Sequence, residues 1–469
     1  MDIKKINSHA LLIIIAVVSI VTHFIFFGHP NETVFDEVHF GKFITGYFTH
    51  EYFFDIHPPL GKLLISGAGY LTGFKPGFSF AQIGQKFPDK EYMWLRLLPN
   101  IAATLLPIVI FFLALRLGFS KEAAFAVGIL ITLENSIISQ SRLILLDSFL
   151  LLFGFSSLLS YFKYKQQDKI KYLYIAGILG TLALSVKWTG ATFLASIVVL
   201  ELVAIFKNKT TGLFKKLKSR LLGLIIVPFA IYFGIFAIHL GLLKKSGQGD
   251  AFMTPGFQKT LSGNIYVKDN SIKPANLLQK FVELNIEMYS ANATLTTSHP
   301  YSSPWYSWPF MVRPIYYWYQ AGTTTTDSSS RIYYLGNPII WWASTVTIIY
   351  ILILLIYALI SLIWKHAKLS WDFQHRDFNF YLLFGSFLFN LLPFINIRRV
   401  MFLYHYVVAL IFAVLIMCYL IDRLKKKTKI FAILITVSVF SFVYFAPLTY
   451  GLELSEKAYN IRAWFSSWK

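Results

Sequence analysis

Charge is what this sequence has least of. Only 14% of its 469 residues are Asp, Glu, Lys or Arg, against about 25% in soluble domains. That deficit excludes an ordinary water-soluble globular protein. Cys418 is the one cysteine, so no disulfide can close within the chain, and the redox compartment cannot be read from thiols. There is no glycine-rich phosphate loop, no metal-ligand spacing and no defensible Ser-His-Asp arrangement. Neither a cofactor nor a metal is therefore expected. Internal repeats and long disordered tracts are lacking. So is a separable signal peptide, because the first apolar run is long enough to stay as a span.

Apolar residues make up 56% of the chain, and mean hydropathy is +0.57. A hydrocarbon core about 30 Å thick needs roughly 20 apolar residues per helix. Candidate runs lie at 10–28, 93–115, 121–138, 143–162, 171–186, 189–206, 220–243, 338–363, 379–394, 400–421 and 429–448. The expected fold class is an all-α polytopic membrane protein of about eleven spans. Net charge is +20, but the basic residues fall mostly in short connections, which argues against nucleic acid. Lys4 and Lys5 place the N-terminus inside. Alternation then makes every predicted inner connection basic: Arg116 and Lys121, Lys163 to Lys171, Lys207 to Arg220, Lys365 and Lys368, and Arg423 to Lys429.

The expected division is 1–243 as a membrane module, 244–337 as a large outer loop, 338–449 as further spans and 450–469 as an outer tail. Within the first outer loop, 29–92, the run LGKLLISGAGYLTGF at 60–74 is too short to span and reads as interfacial or re-entrant.

Outer connections should be poor in cations. Arg96, Arg142, Lys187, Arg398 and Arg399 are exceptions at outer span ends, and together they suit an anion such as phosphate. Each alone could instead pair with a carboxylate or reach the headgroups. Carboxylates share that face: Asp36 and Glu37 in FDEVHFGKF, Asp55 with His57 in FFDIHPPLGK, and Glu134 and Asp147 around Arg142. A carboxylate beside phosphate-binding cations is what an inverting glycosyl transfer needs. The bland alternatives are a solvated loop pair for Asp36 and Glu37, a turn residue before Pro58 for His57, and an Arg142 partner for Asp147. Aromatics are 18% of the chain. His299, Trp305 and Trp308, in SHPYSSPWYSWP, suit a sugar or peptide platform or, equally, an interfacial belt.

These segments, with WLRLLPN, ENSIISQSRLILLDS, LSVKWTG, SGQGDAFMTPGFQ, GNPIIWW and RRVMFLYHY, run in an order that resembles the protein O-mannosyltransferase family of the C-type glycosyltransferase superfamily. The resemblance implies transfer of mannose from a polyprenyl phosphate carrier to Ser or Thr hydroxyls of translocating proteins. It implies Asp36 and Glu37 as the catalytic acidic pair and Arg96 as an arginine needed for activity; Asp36 is the favoured base, with Glu37 the second choice or a residue that positions the acceptor. Lys187, Arg398, Arg399, His57 and Arg142 are then expected on the donor, with Tyr404 and His405 lining its pocket. Eukaryotic members carry a MIR domain where this chain has only the stretch between Gln258 and Ser298. The compact form resembles bacterial members, so a plasma membrane is expected, with the active site outside. Expected partners are polyprenyl phosphate mannose, membrane lipids and acceptor proteins at the secretion machinery, with a dimer left open. Rival readings are a transferase for another sugar or a cell-wall acceptor, and a lipid or solute transporter. A transporter would show paired repeats and mid-membrane charges rather than charges gathered on one face.

Overall fold

A computed structural model describes residues 7–207, 213–294, 296, 298–322, 327–363 and 378–469. Lys4, Lys5, Lys209, Lys365 and Lys368 lie outside the described residues. The apolar runs are helical: α1 (Ser8–Phe24), α4 (Tyr92–Arg116), α5 (Lys121–Thr132), α6 (Asn135–Ser141), α7 (Asp147–Gln167), α8 (Lys171–Val186) and α9 (Ala191–Lys207). After these, α10 (Leu213–Leu221) and a π turn lead into α11 (Val227–Leu242), and α14 (Pro338–Ile363), α15 (Phe378–Leu391), α16 (Val407–Ile421) and α17 (Lys427–Tyr450) follow. The first long connection holds α2 (Glu37–Thr49) and α3 (Leu60–Thr72). The second holds the single turn α12 (Pro255–Gln258), α13 (Leu277–Thr294) and two strands, β1 (Ile315–Ala321) and β2 (Ser328–Tyr334). The tail forms β3 (Glu453–Ser455) and α18 (Glu456–Arg462).

Three expectations need adjusting. Among the described residues 7 helices are long and apolar enough to cross a bilayer, or 8 if the bent pair α5–α6 is one span. The count of eleven is therefore not established. α1 and α8 are apolar but have only 17 and 16 residues, and α7 carries too many polar residues. The predicted span 121–138 is broken by 51°, where Glu134 turns back to cap Ser136 and accepts from Asn337 N at 3.0 Å. The chain is also not wholly helical. β1, β2 and β3 form an antiparallel sheet in that order, which recruits the tail: Ser329 faces Leu454 and Ser330 faces Glu453. Gly451 makes the turn, with φ of 74°.

Helix α16 is apolar on every side and is buried from Val407 through Tyr419, at the centre of the bundle. α14, α5 and α15 pack around it. At one end the first connection meets the sheet: Phe35 stacks on Tyr317 at 4.0 Å, and Trp318 donates to Glu32 at 2.9 Å. At the other end Glu201 joins Lys165 and Arg220.

Candidate active site

Asp36 and Glu37 stand at the start of α2, and their environments differ. Glu37 is fully buried. Its Oε1 accepts from Arg96 Nε at 2.7 Å and Ile144 N at 2.8 Å, and its Oε2 from Arg96 Nη2 at 2.6 Å and Val34 N at 2.8 Å. Arg96 also donates to the carbonyls of Pro30 at 2.7 Å and Glu32 at 2.8 Å, with its guanidinium over the rings of Tyr92 and Phe87. Both side chains are saturated and closed to solvent. This corrects two expectations: Glu37 has no free lone pair with which to act as a base, and Arg96 is not placed to grip a donor phosphate. The pair anchors the first connection to α4 and to the α6–α7 turn.

Asp36 is only half-buried, and among the described residues its carboxylate accepts no hydrogen bond. Burial raises its pKa to about 7; Lys187 opposes the shift, and Asp147 and Asp55 add to it. Asp36 is thus a carboxylate poised near neutrality, within the field of a lysine and two acids.

Lys187 and Asp147, whose charges act on Asp36, line a cavity of about 570 Å³, although Asp36 itself is not among the lining residues. Its polar lining includes His57, Asp147, Lys187, Asn292, Arg398, Arg399, Tyr404 and His405, and its apolar lining Leu150, Phe389, Pro393, Phe394, Val407 and Val408. Lys187 follows the last turn of α8 and bonds both oxygens of Asp147 at 2.8 Å, so Asp147 pairs with Lys187 rather than with Arg142. Lys187 also lies 5.2 Å from the Tyr404 ring centroid. Arg399 donates to Asn292 Oδ1, and burial lowers its pKa. Arg398 is exposed and, among the described residues, makes no ion pair. Burial, with Lys187, Lys62, Arg399 and His405 adding to it, holds the His57 imidazole well below its usual pKa, so it stays neutral. The His57 turn is braced by Lys62, which pairs with Asp55 and donates to the His57 carbonyl at 2.9 Å.

The remaining expectations divide. His405 stacks on Trp308 at 5.7 Å and on Tyr404 at 4.6 Å. Trp308 is completely buried, and its indole donates to Ser303 O at 3.1 Å. It therefore supports His405 from behind and cannot be an open sugar platform. Trp305 is half-buried and His299 exposed, with its ring 5.0 Å from Phe402. Arg142 is also corrected as a donor ligand. It is buried, donates to the carbonyls of Phe26 and His29, and lies over Tyr450 at 4.7 Å. Sequence reasoning missed Asn292, which bridges Arg399 to the Ile56 carbonyl at 2.9 Å. No motif singles it out, since its partners are remote in sequence. Among the described residues no three His, Cys, Asp or Glu side chains gather in a metal-ligating group.

Residues 13–244 match the family model described as dolichyl-phosphate-mannose-protein mannosyltransferase, and 277–468 match the C-terminal four TMM region of protein-O-mannosyltransferase. Dolichyl-phosphate-mannose--protein mannosyltransferase 4 of Candida albicans is 38% identical over 268 residues, 54% of this chain and 36% of that protein. Protein O-mannosyl-transferase 2 of Danio rerio is 34% identical over 267 residues, 54% of this chain and 35% of that protein. The matched stretch thus spans little more than a third of these curated relatives. The Saccharomyces cerevisiae Pmt1-Pmt2 complex bound to the sugar donor superposes with a TM-score of 0.89 at 22% identity, over 99% of this chain and 93% of that one. The apo oligosaccharyltransferase of Archaeoglobus fulgidus gives 0.53 at 12% identity, over 98% of this chain and 58% of that one. At such identities the likeness shows the fold alone. The segment between Gln258 and Ser298 holds a short 3₁₀ turn, Ile265–Lys268, and α13. With both halves matched by its models, the chain belongs to the protein O-mannosyltransferase family.

Proposed function

We propose that this protein transfers mannose from a polyprenyl phosphate to Ser or Thr hydroxyls of proteins, by inverting displacement on the extracytoplasmic face of a bacterial-type plasma membrane. The single observation that carries the reading is the contrast between the two acids: Glu37 is locked in an ion pair, while Asp36 is unpartnered, raised to about 7 and within the field of Lys187 and Asp147, which line a cavity carrying both cationic and apolar side chains. A general base works best with a pKa near the operating pH. Asp36 takes the proton of the acceptor hydroxyl as its oxygen bonds to the anomeric carbon. The bond from that carbon to the phosphate oxygen breaks on the opposite face, and the phosphate leaves as a stable anion. Lys187, Arg398 and Arg399 hold its charge as it develops. Neutral His57 and the Tyr404–His405 stack shape the pocket around the sugar phosphate. The apolar residues Leu150, Phe389 and Val407 suit the first isoprene units.

Donor titration separates the roles. Asp36→Asn should lower turnover by about 10²–10⁴-fold, the usual contribution of a positioned base, with donor KM little changed. Arg399→Ala should raise donor KM instead, because a charge-assisted phosphate contact is lost. Normal turnover of bound donor by Asp36→Asn would sink the assignment of the base. Replacing the mannosyl donor by glucosyl or galactosyl polyprenyl phosphate tests the sugar.

A further inference from the structure

Helix α13 belongs to a connection whose Tyr, Ser, Thr and Pro content reads as an aqueous outer loop. Its surroundings are not those of an aqueous helix. Phe281 packs against Phe229, Tyr232, Phe233 and Phe236 of α11, with centroids between 5.1 and 6.4 Å. Asn285 accepts from Tyr232 at 2.8 Å. Phe229 is halfway along the 26-residue span Leu217–Leu242. At about 1.5 Å per residue it lies roughly 20 Å below the end of that span. The Phe281 turn of α13 therefore packs against α11 within the apolar span, at the level of Phe229 to Phe236.

At about 100° per residue, α13 has three faces. Phe281, Leu284 and Met288 are buried. Gln279, Glu283 and Glu287 form a polar row, and Glu283 accepts from Thr254 N at 2.6 Å. Between the two runs an apolar row, Leu278, Val282, Ile286 and Tyr289, with Ile286 62% and Tyr289 67% exposed. This row continues the outward face of α11, where Phe229 is 60% exposed while touching Phe281.

We propose that α13 is a membrane-embedded helix whose Leu278–Val282–Ile286–Tyr289 row is covered by lipid acyl chains. The second long connection then re-enters the bilayer and builds the lateral wall of the cavity. Tyr289 belongs to the apolar row and also lines the cavity, with Asn292 and Ala293 one turn on. The boundary between bilayer and cavity runs past this tyrosine. The acidic row on the neighbouring face marks the watery side.

The test uses nitroxides on single cysteines in the full chain carrying Cys418→Ser, reconstituted in phosphatidylcholine–phosphatidylglycerol nanodiscs. Labels go at Leu278→Cys, Val282→Cys and Ile286→Cys, at Gln279→Cys and Glu287→Cys, and at Phe440→Cys on α17 as a lipid-facing reference. Collision with oxygen, which partitions into lipid, is compared with collision with a water-soluble nickel chelate. The ratio of oxygen to nickel collision should be several-fold higher at 278, 282 and 286 than at 279 and 287, and close to that at 440. Nickel access at 282 and 286 equal to that at 287 would overturn the proposal in favour of an aqueous loop. Protection from both reagents would overturn it in favour of a covering protein surface.

Discussion

Two neighbouring carboxylates divide the work at the residue scale. Asp36 has its pKa raised from 3.8 to about 7, so its proton is held more tightly in the folded protein than in the unfolded chain. Its neutral form contributes stability below about pH 4, and that contribution is lost as pH rises through 7. Asp36→Asn should therefore raise the melting temperature relative to the parent at pH 8 and leave it nearly unchanged at pH 4; an equal change at both would exclude the shift. Turnover should climb through about pH 7 and level off above it, since the base acts unprotonated. Glu37 predicts the opposite kind of variant. Removing one partner of a fully buried ion pair strands the other charge and costs about 3–5 kcal/mol. Glu37→Gln and Arg96→Gln should each lose stability on that scale in thermal unfolding. Glu37→Gln combined with Arg96→Gln should cost clearly less than the two single changes added. Additive costs would show that the two side chains are not coupled.

At the scale of elements, the site depends on pieces of chain that few local signals announce. The tail closes on the sheet only because the chain reverses at Gly451, whose φ is 74° and whose Cβ, if present, would meet Ile332 at 2.8 Å. A left-handed conformation costs most residues about 1–2 kcal/mol. Gly451→Val should destabilise the protein by at least that amount, and amide exchange should speed up first in β2 and β3, where Ser330 faces Glu453. Unchanged exchange in these strands would mean that the turn does not hold the sheet. Helix α6 is similar. Seven residues long, it is set off from α5 by Glu134, and it aims the following turn so that the Ile144 amide reaches Glu37.

For the whole molecule, the distribution of charge states an orientation. Asp36, Lys187 and Arg399 gather at one end of the bundle, while Glu201, Lys165 and Arg220 meet at the other. Basic connections favour the cytoplasm, so the proposed function predicts a site that faces outward. Single cysteines at Ser271 and Ser466 should react with an impermeant maleimide added to intact cells, and one at Lys218 should react only after permeabilisation. Reaction at Lys218 in intact cells would invert the topology.

Much of this was legible in the chain, because a helix in lipid satisfies its own backbone and shows itself as a local apolar run. The runs, the clustering of cations and acids near their ends, and the acidic pair in FDEVHFGKF could all be read without a fold. Folding decided what depends on residues far apart in sequence. It left Asp36 free and closed Arg96 over Glu37, two residues that adjacent positions could not distinguish. It gave Asp147 to Lys187 at 2.8 Å rather than to nearby Arg142. It buried Trp308 behind His405 and brought Asn292 to Arg399. Sequence spacing carries a helix's face over a turn or two, but which carboxylate keeps a lone pair depends on three-dimensional contacts that no local pattern encodes.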